Sequence, residues 1–144
     1  MKILFSFLLL ILLTACSDFR ELSFNCTGNL KEQTIVTGRI ITESNPKIVG
    51  IYVTENIKTP FNFWREKMHS ASVGNMVFGN DESSINDFAI MGRIEVEKDN
   101  FGDEVIQQFL LDRKTNILTT SKTKRRPNYE NTERFEGVCN PVKP

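Results

Sequence analysis

Three cysteines, Cys16, Cys26 and Cys139, carry most of the reactive chemistry in this 144-residue chain. A thiol can take a lipid, join a second thiol or ligate a metal, and compartment and neighbours decide which. His69, the single histidine, has Ser70 beside it. Neighbours in an extended strand point to opposite faces, so that pair is poorly placed for hydroxyl activation. Asp99, Asp103 and Glu104 around Gly102 carry oxygens suited to calcium, but their spacing departs from the EF-hand loop and reads as a solvated hairpin tip. Lys122-Thr123-Lys124-Arg125-Arg126 is the one charge run. It reads as a solvated loop ahead of Pro127, with cations on offer to lipid headgroups, lipopolysaccharide or cell-wall polymer. Phe61, Phe63 and Trp64 form the densest aromatic group and read as core packing, with Phe61 and Phe63 on one face; an exposed Trp64 beside Arg65, suited to a binding patch, is the alternative. No G-x-x-x-x-G-K, G-x-S-x-G or H-E-x-x-H occurs. The reading is therefore a non-enzyme with no catalytic residue, no cofactor and no metal.

The charge balance supports that direction. Eighteen basic residues meet eighteen acidic ones, for a net charge of +0. Nucleic-acid binding through bulk positive charge is excluded. The length fits one domain. Lys2 is followed by an apolar run from Ile3 to Leu13, too short to span a bilayer but of the length and order of a secretory signal peptide.

The run ends in Leu13-Thr14-Ala15-Cys16, which resembles the lipobox of bacterial lipoprotein precursors. The resemblance implies cleavage before Cys16, a diacylglycerol on its thiol and acylation of the new amino terminus. Two or more acyl chains hold a protein stably on a membrane. By the Gram-negative sorting rule, Ser17 after the cysteine implies the periplasmic face of the outer membrane. On this reading residues 1–15 are the signal peptide, 16–21 a tether and 22–144 a single β domain.

If Cys16 carries lipid, two thiols remain in an oxidising compartment, where Cys26 and Cys139 are expected to pair. Two free thiols and a metal pair are the alternatives. The chain ends also resemble small exported bacterial proteins of uncharacterised function. Those begin with an aromatic-x-Cys-x-Gly segment, here Phe24-Asn25-Cys26-Thr27-Gly28. They end in a turn like Leu111-Asp112-Arg113-Lys114-Thr115 and a segment like Phe135-Glu136-Gly137-Val138-Cys139. That resemblance implies an end-to-end disulfide in a β fold. It departs at Asn116, where glycine is usual, and asparagine also tolerates positive φ.

The elements that would position these groups are short strands. Leu22, Phe24 and Cys26 alternate. Thr34 to Thr42 is a strand with Gly38 as a bulge, and Asn45-Pro46 turns the chain. Lys47 to Thr54 is apolar on both sides, as a central strand would be. Phe61 and Phe63, and Val73 to Phe78, suggest two more. Ile90, Gly92, Ile94 and Val96 alternate with polar neighbours. A turn at Asp99-Asn100-Phe101-Gly102 leads to Glu104–Leu111, and a second turn leads on to Leu118. Phe135, Gly137 and Cys139 share one side of a last strand. Seven to nine such strands make an all-β domain, an antiparallel sandwich or small barrel. The expected role is a membrane-anchored periplasmic lipoprotein that binds an envelope polymer or protein or maintains the envelope. One alternative is a protein inhibitor of lysozyme type, because Ser70-Ala71-Ser72 resembles the Ser-Ala-Ser loop of such inhibitors, although its order relative to Trp64 departs from that family. The other is a hydrolase with an unrecognised site.

Overall fold

The computed structural model describes residues 19–56, 69–98 and 102–142. Two long strands, β1 (Phe19–Val36) and β2 (Arg39–Asn56), form a hairpin. Short strands follow at His69–Val73 (β3), Met76–Phe78 (β4) and Ser83–Ile85 (β5). Then come β6 (Ala89–Val96), β7 (Glu104–Asp112), β8 (Ile117–Arg126) and β9 (Tyr129–Pro141). All pairings are antiparallel, in the order β4-β3-β2-β1-β9-β8-β7-β6-β5. The two ends of that order curl together, β3 against β5 and β4 against β6, so the sheet is a nearly closed barrel.

Period-two alternation fills the interior. Phe24 and Cys26 of β1 face Val49, Ile51 and Val53 of β2, and all five are buried. Leu111, Leu118 and Ile90 continue that layer around the barrel. The rings of Phe78 and Phe109 lie with centroids 4.7 Å apart across the seam. Space for this curl comes partly from glycine. Gly28 and Gly137 oppose each other on β1 and β9. The Phe135 ring covers Gly137, and Phe109 and Phe78 cover Gly92, as aromatic side chains commonly do over bare glycine in bent sheets.

The disulfide is present. Cys26 and Cys139 are directly opposed on β1 and β9, and their sulfurs are bonded. The backbone explains the placement. Val142 N donates to Ser23 O and Thr37 N to Asn128 O, so the odd-numbered residues of β1 hydrogen-bond to β9. Cys26 therefore sits in a non-hydrogen-bonded pair, where side chains approach most closely.

Several local expectations are corrected. Gly38 is no bulge: Thr37 (φ 46°) and Gly38 (φ 81°) form the two-residue turn between β1 and β2. Paired positive φ values give the primed turn whose twist matches a hairpin. Asn45-Pro46 does not turn the chain, since β2 runs straight through it with Pro46 opposite Asn29. Gly74 N donates to Gly50 O, so even-numbered residues of β2 aim their backbone groups away from β1. Pro46 shares that parity. Its missing N–H faces the open edge, where it costs no ladder bond. Among the described residues β2 pairs with β3 only through Ile51–Glu55, which leaves Arg39–Val49 as that edge. Val73 to Phe78 is not one strand either, because Gly74 (φ 58°) turns the chain between β3 and β4. Lys47 to Thr54 is apolar on both sides but buried on one, and Ile48 stays 69% exposed.

The turn from β7 to β8 is as expected, with Asn116 at φ 56°. The Asp112 carboxylate accepts hydrogen bonds from Lys114 N (2.8 Å) and Thr115 N (3.0 Å). Those N–H donors, Thr115 first, hold the Asp112 carboxyl below its ordinary value of 3.8. A lowered carboxylate stabilises the fold above its unfolded pKa and loses that contribution as pH falls through the folded value. Asp112→Asn should therefore melt below wild type at pH 7, and the gap should close by pH 2. Thermal melts at both pH values check this, and a gap independent of pH would refute it.

Candidate functional site

The register of five strands builds a groove on the outer face of the sheet. Lys31 on β1 lies opposite Arg134 on β9, and Arg134 lies opposite Ser121 on β8. Ser121 lies opposite Gln108 on β7, which lies opposite Arg93 on β6. These residues form one row across the strands. The adjacent row on the same face is Asn29, Glu136, Thr119, Leu110 and Met91. Together they line a recess of about 920 Å³. That volume falls within the range of small-molecule sites.

The two rows differ in chemistry. The first has two adjacent cations at one end, Lys31 and Arg134, a third at the other, Arg93, and hydrogen-bonding side chains between. Arg93 is engaged, donating to Gln108 Oε1 at 3.0 Å and to Glu95 Oε2 at 2.9 Å. The side chains of Lys31 and Arg134 have no hydrogen bond or ion pair among the described residues. Like charges directly opposed across a ladder destabilise it, so this pair is held at a cost. In the second row Leu110 (41%) and Met91 (40%) are large apolar side chains left exposed. Glu136 is the one acid in the lining, set against three cations. A smaller recess of about 280 Å³ opens at the barrel mouth, where Lys47, Lys122 and Glu133 sit over Met76 and Phe135.

The residues singled out from sequence are placed as follows. Cys16, Phe61, Phe63, Trp64 and Asp99 lie outside the described residues. The His69 ring meets the Ser83 carbonyl through Nε2, while Ser70 Oγ pairs with Thr54 Oγ1 at 2.8 Å. The two side chains are thus held apart, as their strand positions require. Ser70-Ala71-Ser72 lies inside β3 with Ala71 fully buried, so it forms no protruding loop.

Asp103 is not part of a solvated tip. It is 1% exposed and ion-paired with Lys124 Nζ at 2.6 Å. Lys122 to Arg126 is not a loop but the end of β8. A strand there uses its charges in fixed pairs. Arg125 Nε meets Glu130 Oε2 at 2.9 Å, and the Arg126 guanidinium stacks 4.6 Å over the Tyr129 ring. Among the described residues no three His, Cys, Asp or Glu side chains gather as a metal would require.

Comparison with family models, curated proteins and solved structures gives no match. The functional reading therefore rests on this chain's own residues.

Proposed function

We propose that this chain is a lipid-anchored lipoprotein of the bacterial envelope that acts by binding, with its anchor on Cys16 and its β barrel in the periplasm. The observation that carries the reading is Leu13-Thr14-Ala15-Cys16, placed where the apolar leader stops. The Cys26–Cys139 bridge supports it, because disulfides persist in oxidising compartments. The architecture also agrees. β1 starts at Phe19, three positions after Cys16, so an acylated Cys16 would hold the barrel within roughly 10 Å of the headgroups. Ser17 favours the outer membrane's periplasmic face. The groove gives a binder somewhere to bind, whereas His69 and Ser70 are engaged elsewhere and offer no activated nucleophile.

Labelling with a radioactive or clickable fatty acid tests the anchor. Wild type should take the label and Cys16→Ala should lose it entirely. Equal labelling of both, or none in wild type, overturns the assignment. Fractionation adds a second readout, with wild type in the outer-membrane fraction and Cys16→Ala no longer held there.

A further inference from the structure

The unrelieved Lys31–Arg134 pair and the exposed Leu110–Met91 strip share one groove, and a single kind of molecule complements both. We propose that the groove binds a single-chain anionic amphiphile. Its phosphate or carboxylate head sits between Lys31 and Arg134, and its hydrocarbon chain lies across the strands over Leu110 and Met91. This rests on the reading of the chain as a binding module and not on acylation of Cys16.

The charge argument comes first. The register holds Lys31 and Arg134 directly opposite each other with no acid paired to either. An anion seated between them removes the repulsion and gains charge-assisted hydrogen bonds, for which the guanidinium fork of Arg134 is well shaped. Distance argues for an elongated ligand. Strands lie about 4.8 Å apart, so β9 to β6 is three steps, roughly 14 Å. A small anion at Arg134 leaves Leu110 and Met91 uncovered, and an apolar molecule leaves the cations unmatched. A chain with an anionic head covers both. Between them Ser121 and Thr119 present small side chains that keep the floor low.

The test uses purified full-length protein in a neutral maltoside detergent, with a photoreactive dodecyl phosphate as the probe. Crosslinks located by mass spectrometry are expected on the β6 and β7 peptides that carry Met91 and Leu110. Lys31→Glu and Arg134→Glu should each cut their yield about tenfold, and Leu110→Asp should do the same from the apolar end. Lys47→Glu, at the barrel mouth, should leave the yield unchanged. Retention of the Cys26–Cys139 bridge and of the β circular-dichroism spectrum shows that each variant is folded. Crosslinking of Cys16→Ala should equal that of wild type, which separates this proposal from the anchor. Undiminished crosslinking in the charge variants, or scattered crosslinks, overturns it. Full displacement by millimolar inorganic phosphate, or competition by phosphatidylglycerol vesicles alone, also overturns it, since the occupant would be a bare anion or a membrane surface.

Discussion

Replacing Cys26 and Cys139 together by alanine should lower the unfolding free energy by roughly 4 kcal/mol. The bridge joins residues 113 positions apart, so the unfolded chain loses a large loop's worth of freedom when it is present. β1 and β9 are already paired through their whole common register, so the folded ends do not depend on the bond for their position. The stabilisation acts mainly on the unfolded ensemble. Urea melts of the double variant, and of wild type after reduction, should therefore fall to nearly the same midpoint. A double variant within about 0.5 kcal/mol of oxidised wild type would mean that the ladder alone sets the stability.

The second large effect comes from one methyl group. Gly28→Ala places a Cβ well inside contact distance of the Glu136 carbonyl oxygen and the Gly137 Cα. Both are backbone atoms of β9 and cannot swing aside. The cost should be about 3 kcal/mol, the upper end for overpacking, because relief requires two paired strands to separate. Gly50→Ala on β2 is the matched control. Its nearest neighbour is Asn25 Oδ1 at 4.0 Å, and the change should stay within about 0.5 kcal/mol. Urea midpoints of the two variants decide the matter, and a Gly28→Ala protein as stable as Gly50→Ala would refute the close approach.

How much of this was legible in the sequence differs by residue. Phe24 and Cys26, Ile90 and Gly92, and Phe135 and Cys139 were placed on their buried faces by alternation alone, because a strand with one wet face repeats every second residue. Asn116 was legible for a local reason, its tolerance of positive φ. Gly38 was misread because a bulge and a primed turn both want glycine, and only the partner's register separates them. Asn45-Pro46 was misread because proline removes a donor in a turn and at an open edge alike. The charges of Lys122 to Arg126 read as a loop because Asp103, the partner of Lys124, lies far upstream, and because Glu130 and the Tyr129 ring meet Arg125 and Arg126 only once β8 and β9 close their hairpin. The groove was not legible at all. Its cationic row takes one residue from each of five strands, and no spacing along the chain links Lys31 to Arg134 or Gln108 to Arg93.

Pro46 has a consequence for how copies of this chain meet one another. A bare strand margin invites a neighbour's strand to zip onto it, and repeated addition leads to fibrils. At Pro46 the incoming strand finds no amide hydrogen, and the pyrrolidine ring fills the space it would occupy. Strand addition is disfavoured at that position, although the exposed Ile40, Ile41 and Ile48 line the same margin.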